Sequence, residues 1–287
     1  MLQSGFVNII KPTGMSSSDV VCKVKKALKL KKVGHLGTLD PAASGVLPVA
    51  FGKATKFFDY FLKKDKEYIA DVKFGVLTDT LDSFGLITEY NSKIITSQDI
   101  ERVLNQFIGK INQVPPMYSA IKINGKKACD LARLGQDFEL KAREIEIYSI
   151  DLLGEMSDNF FRFKVHCSAG TYIRTLFNDI ANALGTIATT VVIIRSKSGS
   201  FKIENAITID EIQDDNCMSI EDVFENFNKI EIKDNVIFKK LLNGVKLTKS
   251  NLNIECDDYF FITNQSSLIG MYHYENDRLI CDVFLVE

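Results

Sequence analysis

Apolar and polar positions along the 287-residue chain switch between a two-residue and a helical period, and the switches mark its elements. Phe6 to Ile10 is an apolar run closed by the turn Lys11-Pro12-Thr13-Gly14, which predicts a first strand. Ser16, Ser17 and Ser18 offer N-caps for a helix with the apolar stripe Val20, Val21, Val24 and Leu28. Residues 33–45 are rich in glycine and contain a proline, so they predict a loop, with a short buried strand from Val46 to Phe51. In Lys66–Phe74 the residues Tyr68, Ala70, Val72 and Phe74 share one face of a strand. Ile100, Val103, Leu104, Phe107 and Ile108 follow a helical period.

Residues 109–143 have a different texture. Gly109, Pro115, Pro116, Gly125 and Gly135 punctuate seven Lys and Arg residues, the pattern of a basic excursion from the core. Strands are predicted near 145–153 and 160–167, then a helix from Thr171 to Leu184 closed by Gly185, then a buried strand over Thr189–Ile194. After residue 228 the segments Asn235–Phe238, Tyr259–Thr263, Ser267–Tyr274 and Leu279–Val286 predict a small β-rich domain. Strands and helices without regular βαβ alternation give an α+β fold around a mixed, mostly antiparallel sheet.

Composition adds little until charge is divided along the chain. Residues 1–66 hold twelve Lys against four acids, and residues 67–203 balance at sixteen each. Residues 204–287 hold seven basic and seventeen acidic residues, so the net −2 is +8, 0 and −10 in sequence order. A basic N-terminal segment suits a polyanion such as RNA, and equally a solvated Lys-rich helix. The six cysteines form no C-x-x-C pair and the three histidines are far apart, so reduced, structural thiols and no metal site are expected. No apolar run reaches the roughly 18 residues that span a bilayer, and no secretory leader opens the chain, so a cytoplasmic location is expected.

Two stretches carry candidate chemistry. Gly34–Gly45 surrounds Asp40 with glycines that let a backbone approach a ligand, although Asp before Pro is also a common turn residue. Cys167–Leu176 turns a strand into a helix with Arg174 in its first turn, where the helix dipole does not favour a cation. An Asp partner there would stay ionised; an exposed Arg on a solvated face is the alternative. Tyr68 reads either as a core aromatic or as a base-stacking residue. A nucleotide-binding P-loop is rejected, because Leu47 and Ala54 stand where glycine and Ser or Thr are required before and after Gly52-Lys53.

Five separated motifs, in order, resemble the TruB family of tRNA pseudouridine synthases over residues 5–200. They are Lys11-Pro12-x-Gly14-x-Ser16-Ser17, the Gly34–Pro48 loop, Lys66-Glu67-Tyr68, Pro115–Lys122 and Gly170–Thr175. The resemblance implies a pseudouridine-synthase fold that isomerises uridine 55 in the tRNA T loop, after flipping it out, with no cofactor. It makes Asp40 the essential aspartate, Arg174 its ion-pair partner and Tyr68 the tyrosine against the uracil. His35 would handle the extruded nucleotides, Lys11 would support the catalytic loop, and Tyr172 and Ile194 would line the uracil pocket.

The resemblance further divides the chain into a catalytic domain, 1–228, with an RNA-gripping insertion at about 109–143, and a PUA-like domain, 229–287. The PUA-like domain is expected to add little to tRNA binding, given the net −10 of residues 204–287. A stand-alone monomer working on the tRNA T-arm without guide RNA or membrane is expected. The sequence departs from the family pattern at three points: members often carry Leu at the place of Ile194 and Arg where Ser196 follows Arg195, and Gly185–Arg195 is one residue longer than usual. The competing reading is a tRNA-folding factor that needs no catalysis.

Overall fold

The computed structural model describes residues 2–252, 256 and 258–286. The chain opens with β1 (Gly5–Lys11), α1 (Ser17–Ala27), β2 (Val33–His35) and β3 (Ser44–Phe51). A 3-10 turn leads into α2 (Phe58–Leu62), β4 (Lys66–Phe74), the hairpin β5 (Val76–Thr78) and β6 (Ile87–Tyr90), α3 (Ser97–Leu104) and β7 (Gly109–Gln113). The excursion carries β8 (Lys122–Ile123), β9 (Lys126–Lys127) and α4 (Ala128–Arg133). There follow β10 (Arg143–Ser157), β11 (Phe160–Cys167), α5 (Ile173–Ala183), β12 (Ala188–Ser198), β13 (Phe201–Lys202) and α6 (Ile220–Val223). The C-terminal part is β14 (Lys229–Glu231), α7 (Asn235–Leu242), α8 (Lys249–Leu252), β15 (Phe260–Asn264), β16 (Ser267–Glu275) and β17 (Arg278–Phe284).

Local chemistry sets these boundaries. Ser16 caps α1 through a capping box: its Oγ accepts from the Asp19 N–H at 3.2 Å, and Asp19 Oδ2 accepts from the Ser16 N–H at 3.0 Å. Gly185, at φ +66°, ends the α5 segment. Asn235–Phe238, expected as part of a β segment, instead begins the helix α7. Asp234 Oδ1 accepts from the N–H groups of Val236 and Ile237, and Ile237 and Leu241 then fall on one helical face. A four-residue apolar run fits either period, so the cap decides.

Nine strands make one mixed sheet, ordered β1-β3-β12-β4-β11-β10-β7, with β2 added to β3 and β13 to β12. Its strand pairs are antiparallel except β3 with β12. Because β7 and Arg143 belong to this sheet, the excursion outside it is residues 114–142. One sheet face packs α1, α3 and α5: Val20, Val24, Ile100, Leu104, Leu176 and Phe177 meet Val7, Leu47, Ala70, Phe163 and Val165. On the other face, β4 and β11 carry cross-strand ion pairs, among them Arg162 on both carboxylate oxygens of Asp71 at 2.6 and 2.8 Å.

The C-terminal sheet, ordered β14-β15-β16-β17, shares an apolar cluster with the β1–β3 end of the large sheet. Phe224 is its centre, with ring contacts to Phe6, Phe57, Tyr60, Phe61, Phe227 and Phe261 at 4.8–6.3 Å. No helix among the described residues is long and apolar enough to cross a membrane.

Truncating Phe224 removes packing from both sheets at once. Phe224→Ala is expected to cost about 3–5 kcal/mol and lower the melting temperature by about 10 °C. Thermal unfolding followed by circular dichroism checks this, and an unchanged transition would mean the aromatic cluster does not clamp the two sheets.

Candidate active site

A cleft of about 310 Å³ opens where the β2–β3 connection, the start of β4, the start of α5 and the root of the excursion converge. Gly37, Thr38, Leu39, Asp40 and Ala43 form one wall, and Tyr172, Ile173 and Arg174 another. Lys66, Tyr68, Ile193 and Arg195 line it from the sheet, and Ala120 and Ile121 from the excursion.

Asp40 and Arg174, 134 residues apart in sequence, form the ion pair at its centre. Arg174 Nη2 lies 2.7 Å and Nε 3.0 Å from the same oxygen, Asp40 Oδ2. No hydrogen bond among the described residues engages Oδ1, so this oxygen keeps its lone pairs. The Asp40 side chain is 36% exposed and Arg174 only 3%. A guanidinium so deeply buried needs every N–H satisfied. Nη1 donates to Thr80 O at 2.7 Å and faces Asp82 Oδ2 at 3.6 Å, and Nη2 also donates to Tyr118 O at 2.9 Å.

The loop that carries Asp40 is held from below by the Lys11–Ser17 motif. Lys11 is fully buried; its ammonium donates to the carbonyls of Pro12 and Met15 at 2.9 and 2.7 Å and reaches Pro41 O at 3.5 Å. Burial pushes the Lys11 amine down to about 8. The Gly14 N–H donates to Pro41 O at 2.8 Å. Ser17 Oγ both accepts from Leu39 N and donates to Leu39 O, each at 2.9 Å. Lys11 and Ser17, singled out in the sequence motif, make these contacts through their side chains, whereas Pro12 and Gly14 contribute main-chain groups.

Arg195, to which sequence reasoning gave no role, holds the loop from the sheet side. It is 2% exposed, and it donates to Val46 O, Thr38 O and Gly37 O at 2.8, 3.1 and 3.2 Å. Close approach of β3 to β12 makes this reach possible: Gly45 pairs with Arg195 at φ +103°, and a Cβ there would collide with the Arg195 main chain. The available signal was a charged residue directly after a β-branched buried run, which a folded chain must neutralise with acceptors. Lys66 was likewise missed. Its ammonium is buried against the carbonyls of Phe61, Leu62 and Lys64, and burial pushes the amine down to about 8.

Of the residues predicted from sequence, Asp40, Tyr68, Tyr172 and Arg174 meet in this cleft, and Lys11 lies beneath it. Burial pushes the Tyr68 phenol up to about 12, with the nearby Arg195 charge opposing, so Tyr68 is neutral at physiological pH. Burial also raises Tyr172. His35 sits on β2, outside the residues that line the cleft. Its Nδ1 is buried with no hydrogen-bond partner among the described residues, and burial followed by the Arg195 charge lowers its pKa.

Ile194 is a correction: Ile193 lines the cleft instead. Ile193 pairs with Ala70 and Arg195 with Tyr68, so these four share one sheet face, whereas Ile194 pairs with Ile69 on the other. The β12 pairing with β4 has a bulge between Thr190 and Val192, and a one-residue shift swaps faces.

The chain matches the model of the TruB family pseudouridylate synthases (N-terminal domain) over residues 25–173, just over half its length. It is 40% identical over 275 residues to tRNA pseudouridine synthase B of Clostridium tetani, covering 93% of this chain and 94% of that one. It is 44% identical over 258 residues to the protein of that name in Clostridium perfringens, covering 88% and 87%. Among solved structures it superimposes on Cbf5 in a Cbf5–Nop10–Gar1 complex with TM-score 0.70 and 30% identity, covering 94% of this chain and 78% of that chain.

Arg195→Met removes the three donors that serve the carbonyls of Gly37, Thr38 and Val46. It is expected to cost about 2–4 kcal/mol. Urea unfolding of the variant measures the loss, and an unchanged midpoint would show that the loop does not depend on Arg195.

Proposed function

The chain belongs to the TruB family of pseudouridylate synthases, and on that premise we propose that it isomerises uridine 55 in the T loop of tRNA with Asp40 as the essential carboxylate. The observation that carries this reading is the Asp40–Arg174 pair, in which Arg174 occupies Oδ2 twice and leaves Oδ1 free in the cleft.

The reaction breaks N1–C1′, turns the uracil and joins C5 to C1′, while one proton leaves C5 and one is gained at N1. It consumes no water and transfers no electrons to another molecule. An ionised carboxylate serves as nucleophile or as base at the ribose. Arg174 engages only Oδ2 of Asp40 and so fixes which oxygen faces the substrate. Tyr68, a neutral phenol on the cleft floor, lies against the base, with Tyr172 and Ile193 as its walls.

Uridine in a folded T loop is stacked inside it, so the base must first be flipped out at a cost of a few kcal/mol. His35 and the basic excursion, with Lys122, Lys126, Lys127 and Arg133, are the source of compensating contacts to the displaced nucleotides and their phosphates. Residues 1–228 act as the catalytic domain and 229–287 as a PUA-like module. The enzyme works on the tRNA as a monomer without guide RNA.

Tritium at uracil C5 of an unmodified tRNA transcript reports the reaction directly. Wild-type protein is expected to release it to water, while folded Asp40→Asn releases none and still binds tRNA. Binding without release by either protein would make the chain a tRNA-binding or folding factor. In the same assay Tyr68→Phe is expected to keep tRNA affinity and lose most of its turnover; near-normal turnover would deny its hydroxyl any part in proton transfer.

A further inference from the structure

Gln113 is the last residue of β7, 2% exposed, and both ends of its side-chain amide are spent on one peptide partner. Its Oε1 accepts from the Tyr172 N–H at 2.8 Å and its Nε2 donates to Tyr172 O at 3.1 Å. Tyr172 is the N-cap residue of α5 but caps it with no side-chain hydrogen bond; its carbonyl takes the first helical bond, from Leu176 N at 3.0 Å. Gln113 therefore fixes the residue from which α5 starts, two positions before Arg174.

The excursion leaves the sheet immediately after Gln113, and five residues later Tyr118 O accepts from Arg174 Nη2 at 2.9 Å. Between them stand Pro115 and Pro116, both buried, whose fixed φ angles make the connection stiff. One short rigid segment thus grips the first turn of α5 at its main chain and at its guanidinium.

We propose that Gln113 is a positioning residue for the Asp40–Arg174 pair, and that it ties the root of the basic excursion to the catalytic centre through the Tyr172 peptide. This rests on the reading of that pair as the reacting centre. Gln113 acts through Tyr172 and Arg174, so its loss changes the rate of the chemical step while leaving the surfaces that bind RNA intact. Misplacing a reacting carboxylate by a fraction of an ångström to an ångström costs about ten- to a hundredfold in rate.

Two variants of the full-length protein test this with C5-tritiated tRNA, in single turnovers at saturating enzyme, beside tRNA affinity by filter binding and melting temperature at each pH. Gln113→Leu fills the site without hydrogen bonds and is expected to slow release about ten- to a hundredfold, with affinity within about threefold of wild type. Gln113→Glu supplies a pH signature. When protonated, its carboxyl can accept from Tyr172 N–H and donate to Tyr172 O as the amide does; when ionised, it repels that carbonyl. Burial raises its pKa, so the rate relative to wild type is expected to fall about tenfold from pH 6 to pH 8.5; the same ionisation lowers the melting temperature, which is expected to stay above the assay temperature so that the protein remains folded throughout.

The proposal is overturned if Gln113→Leu turns over at the wild-type rate, or loses affinity in place of rate. A Gln113→Glu rate ratio that does not change with pH, or that only follows unfolding, also overturns it. Should Gln113→Leu fail to fold, the Gln113→Glu series decides alone. Absence of release by wild type is a different result, which removes the proposed function itself and this inference with it.

Discussion

A guanidinium buried to 3% exposure is the constraint around which the cleft is organised. Arg174 sits in the first turn of α5, where the helix dipole opposes a positive charge, and no water is available to solvate it. Its charge and its N–H groups are met by groups from three other regions: the Asp40 carboxylate, the Thr80 carbonyl with Asp82, and the Tyr118 carbonyl. Those regions are the loop that carries Asp40, the turn of the β5–β6 hairpin and the root of the basic excursion. Satisfying one buried cation therefore draws three otherwise unrelated loops to one place.

The loop bearing Asp40 is pinned by two further cations that do no chemistry in this scheme. Lys11 from below and Arg195 from the sheet both donate to main-chain carbonyls, with Ser17 completing the hold at Leu39. Carbonyl acceptors suit this task, because they orient a loop without adding negative charge beside Asp40. The same economy appears at Lys66, whose ammonium gathers the carbonyls at the end of α2. Burial lowers the Lys11 and Lys66 amines to about 8, a measure of how little water reaches them.

The C-terminal sheet is joined to the basic N-terminal half through apolar packing. Phe6, Phe57 and Phe61 from the first part meet Phe224, Phe261, Met271 and Val283 in one cluster. The acidic excess of the chain is concentrated just before this sheet, in residues 204–228, which hold eight acids and no Lys or Arg. Aromatic rings tolerate such a junction well, since their tilted and edge-on contacts need no charge complementarity.

Periodicity and punctuation in the sequence were enough for most of the fold. Lys66–Phe74 alternates cleanly and forms β4 with those limits, and Ser16 caps α1 because a serine three residues before an aspartate satisfies two N–H groups locally. The motifs also marked Asp40, Tyr68, Tyr172 and Arg174, whose types are demanded by chemistry wherever they fall. Tertiary structure alone decided what depends on register and on distant partners. A bulge in β12 turned Ile193, not Ile194, into the cleft, since one residue flips every later side chain to the opposite face. Asp234 made α7 helical where a four-residue apolar run is neutral between periods. Arg195 and Gln113 acquired their tasks only once folding brought them to carbonyls and a peptide 59 to 158 residues away. A hydrogen bond to a main chain leaves no mark on the partner's residue type, so the sequence does not say which carbonyls will receive it.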